Sequence, residues 1–198
     1  MTGATRGARL VAGVGLLWLA FALVAGASGL LTTLRPPVPQ LVLVALTGGV
    51  IVAGVRLPAV REWALTVDVR KLVALHLTRF VGAYFIVLFR RGELPFAFAV
   101  PGGWGDMLVA AGALGLLVSG PPTSPARRTA YALWNVLGLL DILFVVATAT
   151  RLALANPESM AALLRLPLSL LPTFLVPLVI ASHLLIAMRL GSRAPRHG

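Results

Sequence analysis

Apolar positions in this chain come in long runs. Six runs of helix-spanning length follow one another: Leu10–Leu34, Gln40–Leu57, Lys71–Phe89, Phe96–Ser119, Thr129–Thr150 and Pro167–Leu190. At about 1.5 Å rise per residue, each crosses a hydrocarbon core of about 30 Å as one helix. The breaks between them, PPVPQ, RLPAVREWALTVDVRK, RRGEL, GPPTSPARR and RLALANPESM, are short and punctuated by proline, glycine and charge. The pattern predicts an all-α integral membrane bundle of six transmembrane helices, forming a single domain over residues 1–198. Small residues at close-packing spacing, Ala22 and Gly26 on the first helix and Ala45, Gly49 and Gly54 on the second, predict close helix contacts. Residues 61–70 read as a short amphipathic piece along the interface, with Trp63 at headgroup level.

Composition agrees. The chain is 59% hydrophobic and 12% charged, with a mean hydropathy of +0.95, and a soluble domain carries about 25% charge. It has no cysteine, which excludes disulfides, thiolate metal sites and cysteine nucleophiles. The net charge of +11 lies between the apolar runs, where arginine sets topology and meets anionic lipid. No basic stripe lies outside the spans, so nucleic acid is not a partner. With a cytoplasmic N-terminus, the inner side holds Arg6, Arg9, Arg56, Arg61, Arg70, Lys71, Arg127, Arg128, Arg189, Arg193 and Arg196. The outer side holds Arg35, Arg90, Arg91, Arg151 and Arg165. This asymmetry predicts both termini inside. The alternative is that TRGAR and the run behind it form a signal peptide cleaved after Ala27. The run continues to Leu34, which suits a retained helix.

Polar side chains inside spans are costly and mark function by default. In the third run His76 and Arg79 are three apart and share a face, which Ala83 and Ile86 continue. Arg79 lies near the midplane and needs an anion. In the fifth run Asn135, Gly138 and Asp141 share a broad face, and Asp141 matches Arg79 in depth. His76, Asn135 and His183 share a second depth. In the sixth run prolines at 167, 172 and 177 predict kinks, Pro177 freeing the carbonyl of Thr173. PGGWGD, at the start of the fourth run, has two readings. Either the span is interrupted there, with Asp106 capping an inner half-helix, or it starts at Pro101, with Trp104 in the outer aromatic belt. In either case Asp106 satisfies a helix start or faces Arg79.

LHLTR with a following glycine, GGWGD, WNVLGLLD, and FLVP followed by a helix-borne histidine together resemble a family of small bacterial multi-pass membrane proteins of unassigned function. The resemblance covers about Lys71 to Leu190. It implies a prokaryotic inner membrane and adds weight to the polar set, but it supplies no substrate.

Four functions follow from these residues. The first is the handling of protons, ions or a small molecule, in transport or sensing. In it His76 and His183 titrate or ligate, Arg79 is a fixed charge, Asp106 and Asp141 are counter-ions and Asn135 orients. Six spans without repeats are few for a secondary transporter unless it forms a homodimer. The second is an electron carrier with His76 and His183 as axial ligands of one b-type haem. The third is a zinc hydrolase using both histidines with Asp106 or Asp141. The fourth is an accessory or assembly subunit, a membrane partner without chemistry. No G-x-S-x-G and no phosphate-binding loop occurs, so the sequence points away from an enzyme.

Overall fold

The computed structural model describes residues 3–191, with the side chains of residues 3 and 4 excepted. Arg193 and Arg196 of the basic tail lie outside the described residues. The described chain is all helical: α1 (Gly3–Ala27), α2 (Val38–Arg56), α3 (Pro58–Thr66), α4 (Val69–Leu75), α5 (Gly82–Arg90), α6 (Phe96–Ser119), α7 (Pro125–Ala155) and α8 (Val176–Gly191). A 3₁₀ turn, His76–Val81, fuses α4 to α5, and a π turn, Leu171–Leu175, leads into α8. Six helical segments are long and apolar enough to cross a membrane, among them Val69–Arg90 and Leu171–Gly191 as continuous units.

Successive long helices run in opposite directions and give the bundle two ends. One end carries Arg35, Arg90 and Arg151; the other carries Arg70, Arg127 and Arg189. At the Arg189 end, α3 lies against the start of α1, where Gly7 meets the Ala59 backbone and Trp63. There arginines also satisfy carbonyls that helix ends leave without partners. Arg70 Nη2 donates to Leu117 O at 2.9 Å, and Arg189 Nη1 donates to Val67 O at 2.8 Å. At the Arg35 end, a 3₁₀ segment, Pro157–Leu164, turns the chain back from α7.

The sixth helix bends as its prolines predict, but it begins at Leu171, with Pro167 in the turn before it. The carbonyl of Thr173 does not stay free: Trp18 Nε1 of α1 donates to it at 2.8 Å. Of the small-residue pairs, the one on α1 packs. Ala22 is buried and Gly26 lies against Ser169 and Leu166. Gly49 and Gly54 on α2 face open space instead, and α2 has no buried residue.

The fourth helix is neither interrupted nor started at Pro101. It runs unbroken from Phe96 to Ser119, with Pro95 before it. Pro101 sits near enough to the start that its missing amide costs one bond, to the carbonyl of Ala97 four residues back. The glycines that follow admit neighbours rather than bend the helix. Gly103 and Gly82 meet backbone to backbone, and a Cβ on Gly103 would stand 3.1 Å from Ile86 Cγ1. Asp106 therefore lies mid-helix and caps nothing. Trp104 is well inside the helix, 57% exposed on its outer face, rather than at its end.

Candidate functional site

Helix α4–α5 positions the first two polar groups. Apart from Leu72, its buried residues step by three: Val73, His76, Arg79, Gly82, Phe85 and Leu88. A 3₁₀ turn has three residues per turn, so positions i and i+3 eclipse. That is why Gly82 and Phe85 continue the stripe of His76 and Arg79, while Ala83 is exposed. The tight turn aims His76 and Arg79 into the bundle, one above the other.

Arg79 is the centre of the site, and its side chain is 4% exposed. Nε donates to Asp106 Oδ1 on α6 at 2.6 Å. Nη1 donates to the Gly138 carbonyl on α7 at 2.9 Å. Nη2 donates to Asp141 Oδ2 on α7. All three guanidinium nitrogens are thus engaged, each in a different direction, as the planar fork of arginine permits and a lysine ammonium does not. Gly105 makes room for the Asp141 carboxylate, whose atoms occupy the place of a side chain there. In formal charge the triad counts one guanidinium against two carboxylates.

The histidines sit beside the triad on its Arg189 side. Their rings are 4.2 Å apart between centroids, and both touch Trp134, at 4.9 Å from His76 and 5.7 Å from His183. Their tautomers follow from the partners. Ser182 Oγ gives its proton to the Val179 carbonyl at 2.8 Å, so it accepts from His76 Nε2 at 3.0 Å. Asn135 Nδ2 donates to the His183 carbonyl at 3.1 Å, so its Oδ1 accepts from His183 Nδ1 at 2.9 Å. The second nitrogen of each ring is buried, that of His183 against Gly138. His76 Nδ1 and His183 Nε2 take no hydrogen bond from the described residues.

The structure brings all six sequence-derived residues, His76, Arg79, Asp106, Asn135, Asp141 and His183, into one connected cluster. It adds three groups that sequence reasoning passed over. Ser182, next to His183 along the chain, is the partner of His76. Trp134 seats both imidazoles, and the carbonyl of Gly138 is a partner of Arg79. Trp134 and Gly138 were readable only as members of the buried face of α7; a carbonyl leaves no mark in the sequence.

This geometry argues against two chemistries. Axial ligation puts a macrocycle between two imidazoles, whereas these rings are in contact, so they do not fit one b-type haem. Among the described residues no three of His, Asp and Glu stand close enough to share a metal ion, which removes the zinc arrangement.

A cavity of about 240 Å³ leads to the cluster. It separates α2 from α7 and reaches from Arg35, Glu158 and Arg165 down to Arg79 and Asp106. Its walls are chiefly apolar, among them Phe98, Val145, Ala149 and Leu171. Arg35 and Glu158 at the rim are exposed and pair loosely at 3.8 Å. On the other side of the histidines lies packed core: Leu72, Val73, Val109, Ala113, Tyr131, Trp134 and Ile186 form one buried cluster. The Tyr131 hydroxyl donates to Gly120 O at 2.8 Å there.

No curated protein and no solved structure matches the chain. A family profile described as a domain of unknown function, DUF8737, matches residues 36–191, from the start of α2 to the end of α8, and includes every residue of the cluster. The chain belongs to this family, DUF8737.

Proposed function

We propose that the protein is a multi-pass protein of a bacterial inner membrane, with both termini cytoplasmic, and that its buried cluster holds and exchanges a proton. The membrane reading rests on six apolar helices whose outward faces carry large exposed hydrophobics such as Leu17, Leu108, Leu137 and Leu140. The orientation rests on the unequal arginine content of the two ends.

The proton reading rests on one observation: two carboxylates converge on a single guanidinium in the middle of an apolar bundle. Such a group is one positive charge short. Uncompensated charge in hydrocarbon costs at least about 2.5 kcal/mol. A metal cation finds no ligand set here among the described residues. A proton needs none.

Infrared difference spectroscopy on the protein in lipid, stepped in pH, tests this. A carboxyl or imidazole band that titrates in the wild type and changes in Asp141→Asn and in His183→Gln is the expected result. A wild-type spectrum with no titrating carboxyl or imidazole band overturns the proposal and leaves a fixed packing device.

A further inference from the structure

Asp106 is the point where the apolar cavity meets the charged cluster. We propose that the cavity binds a small lipophilic cation of the ammonium or guanidinium type, its apolar body against Val145 and Ala149 and its charge beside Asp106, in exchange for the proton of the cluster. The inference rests on the proton reading above and names what competes with that proton.

Three features of the cavity select this class. The first is the charge at its floor. Arg79 already donates from all three nitrogens, so it offers little to an anion. Asp106 gives only Oδ1 to Arg79, and its Oδ2 takes no hydrogen bond from the described residues. The second is the wall. Gln40 Oε1 faces the same cavity region buried and without a donor. With Asp106 Oδ2 it gives a donating ligand two acceptors. The third is size. At about 240 Å³ the cavity falls just below drug-sized pockets of about 300–1,000 Å³, so the apolar body is of the order of one ring.

Charge balances in the exchange. The triad with one proton is neutral, and the triad with one bound monocation and no proton is neutral. Holding both would leave a buried positive charge, so cation and proton displace one another. The other charged and titratable groups around Asp106 are Arg79 on the 3₁₀ turn, Asp141 on α7, and His76 and His183 on the Arg189 side. Glu158, Arg35 and Arg165 stand farther off at the rim. The two rim arginines oppose a cation at the mouth. Thr78, on the 3₁₀ turn, is exposed and lines the cavity, and a route past it would admit a lipophilic ligand from the acyl chains instead.

The test uses the full chain in lipid nanodiscs and three probes: benzylguanidinium, its near-isosteric neutral counterpart benzylurea, and phenylacetate. Binding is read by calorimetry, and proton release in weakly buffered solution on the same samples. The expected result is that benzylguanidinium binds about tenfold or more tightly than either other probe and releases about one proton per chain. Asp106→Asn abolishes both the preference and the release. Ala149→Trp, two turns from the cluster, fills the cavity and abolishes binding while the infrared titration of the cluster persists; it answers the question even if Asp106→Asn folds poorly. Equal binding of benzylurea, or binding that survives Ala149→Trp, overturns the inference. No binding alongside a titrating cluster overturns it too, but leaves the proton reading standing. Binding without proton release contradicts the exchange and counts against both.

Discussion

On the Arg189 side of the cluster, Val73, Ala113, Tyr131 and Ile186 have no exposure at all, and Trp134 locks to the Val109 carbonyl at 2.9 Å. On the Arg35 side, α2 stands apart from α7 across a cavity that reaches Asp106. The same six apolar segments build both halves, so apolarity does not explain the difference. Helix contact does. On the Arg189 side α6 meets α7 through Gly112, against Trp134, which draws those two helices together there. The glycines of α2 meet nothing. The Arg189 half is close-packed throughout, like a protein interior, whereas in the other half a buried core that includes Phe85, Leu88, Ala99 and Leu168 stands beside an open cavity. The cluster between them has access to one end of the bundle and is sealed from the other by side chains in mutual contact.

The largest effect belongs to the group that both halves share. Arg79→Ala leaves buried Asp106 and half-buried Asp141 without their cation, and removal of one partner from a buried pair costs about 3–5 kcal/mol. Loss of folded, monodisperse protein in mild detergent is the expected outcome. Arg79→Lys keeps the charge but not the three-way fork, and its melting temperature should fall between that variant and the wild type.

The comparison between the halves sharpens with a matched pair of substitutions. Ala113→Leu adds volume where none is free and should cost about 1–3 kcal/mol in thermal unfolding. Ala149→Leu adds the same volume to the cavity wall and should cost less than about 0.5 kcal/mol. Equal destabilisation by the two would mean that the halves are packed alike.

The smallest effect lies at the cavity rim. Arg35 and Glu158 are 80% and 81% exposed, and such pairs contribute about 0–1 kcal/mol. Arg35→Ala should leave the melting temperature unchanged within error, and a clear loss would show that the rim holds α2 in place.

Much of this was legible in the sequence. Long apolar runs mark the helices because hydrocarbon-length segments admit few alternatives, and Arg79 and Asp141 stand out because charge at mid-span is rare. Depth could be counted from the flanking arginines, which is why the six polar residues were readable as a set. Lateral order could not be counted. Nothing along the chain says that Trp18 finds the carbonyl freed by Pro177, that Ser182 faces His76, or that α2 stands away from α7. PGGWGD misled for a related reason. Glycine and proline signal a break when read locally, whereas here each glycine answers to a neighbour on another helix, Gly103 to Gly82 and Gly105 to Asp141. The shift from Ala83 to Gly82 has a local cause, a 3₁₀ turn where an α-helix is the default.

The chain contains no cysteine, which makes one-sided access directly measurable. Ala149→Cys and Ala113→Cys report on the two halves, and Arg35→Cys and Arg61→Cys mark the two ends. Each is reacted in proteoliposomes with a membrane-impermeant thiol reagent added to one side at a time. The account predicts that Ala149→Cys reacts from the side that labels Arg35→Cys, about tenfold or more faster than Ala113→Cys from either side. Comparable rates at the two positions, or faster reaction at Ala113→Cys from the Arg61 side, would contradict it.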